Sequence, residues 1–325
     1  VTIMELAHEA GIATGVVTTA SVTDATPAAF MSHTAHRRCQ APGACEDESK
    51  SNGGKGSISE QIADGEMDVV LGGGMRRFDQ VVDSESGTTV ADSAIANGFM
   101  LITERSELKT APTGGPLLGL FWPGLMPPVL HGNDASPDPS EPFECEENPD
   151  FGDLPRLSEM VETAISRLES NGSYILVVED EAIDEYAHGR NPCGHIGGVS
   201  QIDETVQLVL NYAESHPELL VLVTADHGHA PQIISEGIAS GQGSWTSPGR
   251  TARLVTVDGA VMGINYATAT GPDSRGVHSG VQVPLLASGP GVSEWPVFMP
   301  QTELFHIMRE HLGLGRNANR VPRGK

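Results

Sequence analysis

The stretch that decides the fold is residues 174–188, with the sequence YILVVEDEAIDEYAH. Its apolar first part predicts a buried strand. Its polar second part places Glu179, Asp184 and His188 directly after that strand. Because open α/β sheets bind ligands beyond the carboxyl ends of their strands, this stretch predicts a metal site at the edge of such a sheet.

A second stretch, residues 220–229 with the sequence LVLVTADHGH, repeats the pattern. Its apolar strand ends in Asp226 and His227, and Gly228 allows the sharp turn that lets both side chains reach one metal ion. His229 is predicted either as a ligand or as a donor that orients a neighbouring carboxylate. The alternative interpretation is a buried polar cap on the sheet, without a metal.

Helices and strands alternate in the predicted order of elements. Helices are predicted at residues 3–10, 24–38, 157–168, 202–213 and 302–312, and strands at residues 12–18, 68–71, 174–178, 220–224 and 281–286. This alternation is typical of an α/β protein with a mostly parallel sheet. We therefore predict a single α/β domain over residues 1–315, with surface excursions at about 110–155 and 233–276 and a disordered tail at 316–325.

The composition argues against several functions. The 325 residues include 43 acidic and 19 basic ones, for a formal net charge of −24, and only four are lysines. The charge argues against a nucleic-acid partner, because phosphate backbones need a basic footprint. No run approaches the ~20 apolar residues of a membrane span. The acidic surface instead favours a salt-rich habitat, where ions screen the repulsion.

The candidate ligands each have an ordinary alternative. Asp184 and His188 stand at i and i+4, which suits a shared metal ion or a simple hydrogen bond on a helix surface. His278 would complete a zinc site with that pair, because zinc accepts nitrogen and oxygen ligands. Glu179 and Thr26 offer harder oxygen atoms, which suit magnesium.

Arg37 stands out in a chain with few cations, because a guanidinium binds phosphate through two hydrogen bonds. The alternative is an arginine at a helix end that interacts with the helix dipole. Asp24 by itself is predicted only as the N-cap of the helix that follows it.

The cysteines are Cys39, Cys45, Cys145 and Cys193, and none lies in a C-x-x-C motif. Their even number allows two disulfides in an oxidising compartment, and four free thiols are the alternative. Spacing alone leaves the question open, because geometry decides whether a disulfide can form.

Seven motifs resemble those of bacterial alkaline phosphatase of the periplasmic type, in the family's order along nearly the whole chain. They are residues 13–15 (ATG), 23–29 (TDATPAA) with Arg37 and Cys39, 53–58 (GGKGSI), 117–121 (LLGLF), 179–194, 224–229 (TADHGH) and 278–280 (HSG). The resemblance implies the alkaline phosphatase fold, a three-layer sandwich whose central, mostly parallel sheet carries helices on both faces.

The resemblance also implies ligands for two Zn²⁺ ions and one Mg²⁺ ion. It assigns Asp184, His188 and His278 to the first zinc, Asp226 and His227 to the second zinc, and Thr26 and Glu179 to magnesium. It assigns phosphate binding to Arg37, and supporting positions to Asp24, Glu185 and His229. It implies the disulfides Cys39–Cys45 and Cys145–Cys193, and hence a periplasmic or secreted protein.

The implied reaction is the hydrolysis of phosphate monoesters to inorganic phosphate at alkaline pH, through a phosphoserine, in a protein that is a homodimer when complete. The family's serine lies in a Thr-Asp-Ser-Ala motif that is expected before Val1, so the chain resembles the C-terminal two-thirds or so of the family. Ser93 lies in a similar motif but after Thr26, in the wrong chain order, and is not expected to be the nucleophile. The alternatives are a catalytically incomplete fragment that serves as a metal-binding or association module, and a related metal-dependent sulfatase or phosphodiesterase.

Glu185 departs from the family pattern, because some relatives carry a cation there, near the phosphate. Asp24 lies close to this position in the family's geometry. An added carboxylate would repel the product, so this residue predicts weaker inhibition by phosphate.

Overall fold

The computed structural model of the chain describes residues 1–45, 54–112, 114–138, 141–241, 248–271 and 274–315. The helices of this part are α1 (Ile3–Glu9), α2 (Ala25–Met31), α3 (Ile58–Ala63), α4 (Met75–Phe78), α5 (Val90–Ala96), α6 (Leu157–Glu169), α7 (Ala182–Gly189), α8 (Pro192–Ala213), α9 (Glu236–Ala239) and α10 (Glu303–His311). The strands are β1 (Ala13–Ser21), β2 (Val69–Gly73), β3 (Val81–Asp83), β4 (Thr88–Thr89), β5 (Met100–Ile102), β6 (Leu117–Leu120), β7 (Leu130–His131), β8 (Glu146–Glu147), β9 (Tyr174–Glu179), β10 (Val221–Thr224), β11 (Gly228–His229), β12 (Pro231–Ile234), β13 (Arg250–Val255), β14 (Val261–Tyr266), β15 (His278–Ser279) and β16 (Leu285–Ser288).

The chain forms two compact units. The first unit contains Val1–Met126, Asp153–Glu179 and the chain from Ser293 onward, and the second contains Pro127–Gly152 and Asp180–Val292. Among the described residues, every helix is too short or too polar to cross a lipid bilayer.

The first unit is built on a five-stranded parallel sheet with the order β5-β6-β2-β1-β9. All nine residues of β1 are buried, which is typical of a strand covered on both faces. A Cβ atom at Gly15 would lie 2.7 Å from Leu168 of α6, whereas Val16 packs in one apolar cluster with Ile3 of α1. Neighbouring side chains of a strand point to opposite faces. Helices therefore cover both faces of the sheet, and the predicted α/β fold is confirmed.

The carboxyl ends of β1 and β9 lie at the same edge of this sheet. The two strands are parallel neighbours, and Thr18 is paired with Glu179 in their register. The chain that leaves β1 reaches Asp24, whose side chain accepts a hydrogen bond from the backbone N–H of Ala25 and caps α2. This edge therefore brings the end of β9, which carries Glu179, next to the end of β1. The second strand that the sequence singles out, β10, lies outside this sheet and pairs antiparallel with β16.

The second unit contains the helix pair α7 and α8 and several small antiparallel sheets. Strand β10 pairs with β16, β11 pairs with β15, and β14 lies between β12 and β13. Helix α8 begins with Pro192, and the Asn191 side chain caps it by accepting a hydrogen bond from Gly194 N–H. A Cβ atom at Gly194 would lie 2.3 Å from the ring of Tyr186, so glycine permits the close contact between the two helices.

Three predicted element boundaries are wrong. The helix predicted over residues 24–38 ends at Met31, because Ser32 is extended and its hydroxyl donates to the Ala28 carbonyl. The helix predicted from residue 202 begins ten residues earlier, at Pro192. The strand predicted over residues 281–286 is β16, which begins at Leu285, and Val281 is 63% exposed.

The two stretches predicted as surface excursions both contain strands. Strand β6 lies within residues 110–155 and is buried in the parallel sheet. Strands β13 and β14 lie within residues 233–276 and pair with each other. The predicted tail at 316–325 lies outside the described residues, as does Gly53 of the GGKGSI motif.

Both predicted disulfides are confirmed. Cys39 and Cys45 are bonded with their Cα atoms 4.4 Å apart, and Cys145 and Cys193 with theirs 5.4 Å apart. The second bond ties the segment before β8 to the first turn of α8, across a sequence separation of 48 residues. The alternative of four free thiols is therefore excluded.

Candidate metal centre

Helix α7 presents the first two candidate ligands on one face. Asp184 lies in its first turn and His188 in its last, and His188 Nε2 is 3.2 Å from Asp184 Oδ2. Residues four apart in a helix are neighbours on its surface. The sequence spacing therefore already predicted that these two side chains are neighbours. It did not predict which further residues lie close to them.

Two more histidines reach the same point from the β11–β15 pair. His229 and His278 face each other in the register of these strands. His278 Nε2 lies 3.3 Å and His229 Nε2 lies 3.4 Å from Asp184 Oδ1. The ligand atoms of these three residues and His188 all lie within 4.8 Å of one another. We call these four residues the His/Asp cluster.

The geometry of the His/Asp cluster suits a bound metal ion. Asp184 Oδ1 is buried, and it has no hydrogen-bond partner among the described residues. Buried polar atoms without partners are costly unless something satisfies them. Ligand atoms bound tetrahedrally to zinc at about 2.0–2.1 Å lie roughly 3.3 Å apart. Four of the separations in the cluster are 3.0–3.4 Å, and all of its ligand atoms lie within 4.8 Å of one another.

The tautomer of His188 is set by a backbone carbonyl. His188 Nδ1 is 2.6 Å from the Gly276 oxygen, which can only accept a hydrogen bond. Nδ1 of the neutral ring therefore carries the proton, and Nε2 keeps a free lone pair directed at Asp184 and His278. This is the protonation state that a metal ligand requires.

The electrostatics of the cluster keep His229 neutral. Burial lowers the pKa of His229 to about 4, the Asp184 carboxylate opposes this effect, and the neighbouring imidazoles add to it. His229 is only 11% exposed. The backbone N–H of Ala230 donates to His229 Nδ1 at 2.8 Å, so Nε2 of the neutral ring carries the proton and lies 3.4 Å from Asp184 Oδ1. Of the two roles that the sequence left open for His229, this tautomer favours the donor that orients a carboxylate over the metal ligand.

Asp226 and His227 lie beside the His/Asp cluster. The His227 ring stacks on His278 with centroids 3.6 Å apart. His227 Nε2 is 3.4 Å from Asp226 Oδ2 and 3.9 Å from Asp184 Oδ1. The two residues that the resemblance assigns to a second zinc are therefore adjacent to those that it assigns to the first.

The remaining candidate ligands belong to the first unit. Glu179 Oε2 accepts a 2.6 Å hydrogen bond from the buried Thr18 hydroxyl. Thr26 lies in the first turn of α2, two residues after Asp24. Arg37 donates to Asp24 Oδ1 at 2.9 Å, and its side chain is 68% exposed. The guanidinium therefore has free donors at the surface, which binding of a phosphate needs.

The sequence analysis missed two arginines. Arg275 donates to Glu185 Oε1 at 2.7 Å, so the unusual carboxylate after Asp184 has a cationic partner. Arg77 of α4 interacts electrostatically with Asp24, and burial lowers the pKa of its guanidinium. Neither residue lies in a motif that would have drawn attention to it, because both contacts join segments that are distant in sequence.

Together the parallel sheet and the His/Asp cluster define an α/β protein with a metal-competent centre. Comparisons with known proteins are more specific. The sequence model of the family described as alkaline phosphatase matches residues 1–273, and the chain belongs to this family of phosphatases.

Named relatives agree with this assignment. The chain is 38% identical over 331 residues to an alkaline phosphatase of Escherichia coli K12, covering 96% of this chain and 68% of that protein. It is 39% identical over 328 residues to streptomycin-6-phosphate phosphatase of Streptomyces griseus, covering 96% and 71%. The solved alkaline phosphatase of the Antarctic bacterium TAB5 superimposes with a TM-score of 0.66 at 21% identity, over 97% of this chain and 76% of that one. The chain thus spans about two thirds of the curated relatives' length.

Proposed function

We propose that this chain forms the metal centre of a zinc- and magnesium-dependent phosphate monoesterase. Asp184, His188 and His278 would hold one zinc ion, with His229 directed at the same point. The observation that carries this proposal is that nitrogen or oxygen atoms of Asp184, His188, His229 and His278 all lie within 4.8 Å of one another, while Asp184 Oδ1 is buried without a hydrogen-bond partner among the described residues. Neutral imidazoles and one carboxylate are a donor set that zinc prefers.

Two further sites belong to the proposal. Asp226 and His227 would contribute to a second zinc site, which their position beside the His/Asp cluster supports. Glu179 and Thr26 would contribute to a magnesium site, and the Thr18 hydroxyl would orient the Glu179 carboxylate for it. A TAB5 alkaline phosphatase mutant is described with magnesium in its M3 site.

Arg37 would bind the phosphate of the substrate and Asp24 would position it. The ion pair between them leaves part of the guanidinium exposed, and a guanidinium binds phosphate oxygens through two parallel hydrogen bonds. This local cation, together with bound metal ions, would attract an anionic substrate in spite of a net charge of −24.

When bound, the metal ions would stabilise charge on the attacking and leaving oxygens. The nucleophile would be a serine in a segment that precedes these residues in the family, and a phosphoserine would form and be hydrolysed. Ser93 is a poor candidate, because its hydroxyl donates to the Thr89 carbonyl within α5 and Asp92 forms the capping box of the same helix.

The setting of the enzyme is also a proposal. Two disulfides support an oxidising compartment such as the periplasm or the exterior of the cell. The high negative charge supports a salt-rich habitat. We propose phosphate monoesters as substrates and a homodimer as the complete form.

The test is hydrolysis of p-nitrophenyl phosphate at alkaline pH with zinc and magnesium. The 325-residue chain is assayed alone and joined to the serine-bearing segment that precedes it in the family. Turnover is expected only in the joined protein, and His188→Ala should abolish it. His311→Ala, which changes an exposed histidine of α10, is the matched control and should retain full activity.

Two outcomes would overturn parts of this proposal. Absence of turnover in the metal-loaded joined protein would contradict the phosphatase centre. Turnover by the 325-residue chain alone would place the nucleophile within it, and the Ser93→Ala variant would then show whether Ser93 is that nucleophile.

A further inference from the structure

Arg275 and Glu185 form an ion pair next to the His/Asp cluster. The distance between Arg275 Nη2 and Glu185 Oε1 is 2.7 Å, and the side chains are 58% and 42% exposed. Glu185 follows the ligand Asp184 directly, and Arg275 lies three residues before the ligand His278. The pair therefore joins the two segments that carry the proposed zinc ligands.

Residues 275–278, which we call the strap, run along α7 and contact it at almost every position. Arg275 pairs with Glu185. The Gly276 carbonyl accepts a hydrogen bond from His188 Nδ1, and the Gly276 N–H donates to the His188 carbonyl at 3.0 Å. His278 meets Asp184. The strap thus supplies one candidate ligand and fixes the tautomer of another.

The fit between the strap and α7 is tight at its centre. A Cβ atom at position 276 would lie 2.6 Å from the Ala187 carbonyl oxygen and 3.2 Å from His229 Cε1. Only glycine therefore allows the backbone to approach closely enough for the hydrogen bond to His188. A small displacement of the strap would lengthen this bond and move His278 as well.

Beyond α7, the strap is anchored among the described residues by contacts of Val277 and His278. Its carboxyl end enters the two-residue strand β15, and Val277, which is 52% exposed, donates its N–H to the Thr268 hydroxyl. At the amino end of the strap, the Arg275 side chain forms its ion pair with Glu185 in the first turn of α7. Losing that contact would leave the backbone hydrogen bonds of Gly276 as the link between this end of the strap and α7, and would loosen a segment on which His188 and His278 depend.

We propose that Arg275 and Glu185 are a positioning pair, which holds the strap on α7 so that His188 and His278 are preorganised for zinc. This inference rests on the proposed zinc site. In this pair the negative charge of the Glu185 carboxylate is balanced by the guanidinium of Arg275.

A purely electrostatic role and a positioning role of Arg275 predict opposite effects of Arg275→Gln on zinc affinity. Removing the positive charge of Arg275 near a Zn²⁺ ion would tighten zinc binding if charge were all that mattered. Loss of a positioning contact would weaken zinc binding instead. The sign of the effect of Arg275→Gln therefore separates the two explanations.

The experiment measures the zinc dissociation constant of the 325-residue chain by competition with a chelator. Arg275→Gln and Glu185→Gln should each weaken binding about two- to fivefold, the range expected for an exposed ion pair. The double variant should bind zinc no more weakly than the weaker-binding of the two single variants. The exchanged pair, Glu185→Arg with Arg275→Glu, should recover most of the affinity. Arg105→Gln, which breaks a surface ion pair of the first unit, is the control and should leave zinc binding unchanged.

The outcomes keep this inference separate from the proposed function. If the wild-type chain binds zinc and His188→Ala abolishes that binding, but Arg275→Gln leaves it unchanged or tighter, only the positioning pair is wrong. If the wild-type chain binds no zinc, the proposed function itself fails. The melting temperature of each metal-free variant shows whether folding, rather than the strap, has changed.

Discussion

Gly276 illustrates how a residue without a side chain shapes the centre. Its carbonyl orients His188, and its missing Cβ is the reason that the carbonyl can approach. Asp184 is the complementary case, because its Oδ1 atom lies 3.3–3.9 Å from three imidazoles. At the residue scale, the centre depends as much on what holds the ligands as on the ligands themselves.

Gly276→Ala should therefore damage the centre. The added Cβ would displace the strap, and we expect about 1–3 kcal/mol lower stability and about 10- to 100-fold weaker zinc binding. Urea unfolding and chelator competition measure the two effects. Gly280→Ala is the control, because a Cβ at that position meets no atom within 4 Å. Equal behaviour of the two variants would contradict the tight fit of the strap.

His195 gives the second unit a dependence on acid. Burial lowers its pKa to about 4, and its Nε2 lies 3.5 Å from the Tyr266 hydroxyl. The unfolded chain binds this proton below about pH 6.5, so unfolding takes up a proton between about pH 6.5 and 4. Stability should be full above this window and fall as the pH decreases through it, by about 3 kcal/mol from this residue.

The measurement for His195 is urea unfolding at pH 7.5 and pH 4.5. His195→Gln should show a smaller loss of stability between the two pH values than the wild type. His311→Ala removes an exposed histidine and should keep the wild-type loss. An unchanged pH dependence in His195→Gln would show that this imidazole is not the group that takes up the proton.

At the scale of elements, the sequence predicted best where burial is continuous. Strands β1 and β2 were found because apolar runs in parallel sheets are buried on both faces. Strand β9 was found from the same kind of apolar run, although only Ile175 of it is buried. The start of α8 was missed because Pro192, Gly194, Gly197 and Gly198 are typical of loops. Gly194 and Gly198 are explained by close contacts with α7 and the residues before it, and Gly197 by a close contact with Val129 and Leu130. No local pattern reveals these tertiary contacts. The end of α2 was misplaced for a similar reason, since the Ser32 cap is a side-chain contact.

Gly198→Ala tests the contact between α7 and α8. Alanine is favoured over glycine in a helix by about 1 kcal/mol. The new Cβ would nevertheless lie 2.7 Å from Asp180 Oδ1 and 2.9 Å from Ile183 Cγ1. We expect a net loss of about 1–2 kcal/mol in unfolding free energy. Gly189→Ala, where nothing lies within 4 Å, should be neutral or slightly stabilising, and a gain in both variants would argue against close packing of the helices.

At the scale of the whole molecule, composition predicted the environment and not the fold. A net charge of −24 on 325 residues makes the folded chain repel itself. The candidate site was predicted from motifs because its ligands follow strands and helices with fixed spacing. The contact between Arg275 and Glu185 was not predicted, because the two residues are 90 positions apart in the sequence.

Salt should therefore stabilise this protein. Raising NaCl from about 0.1 M to about 1 M shortens the Debye length from about 10 Å to about 3 Å. We expect a rise of at least about 4 °C in melting temperature, which corresponds to about 1–2 kcal/mol for a chain of this size. The wild-type chain is melted in both solutions. A constant or lower melting temperature at high salt would contradict the role given to the surface charge.

The central claim is that Asp184, His188 and His278 form a zinc centre. Titration of the metal-free chain with zinc against a competing chelator tests this most directly, with Asp184→Asn as the variant and Asp203→Asn, on the exposed face of α8, as the matched control. The account predicts that the wild type and the control bind zinc equally, and that Asp184→Asn weakens binding by more than about 100-fold, beyond the loss typical of a supporting residue. Equal zinc binding by Asp184→Asn and the wild type would contradict it.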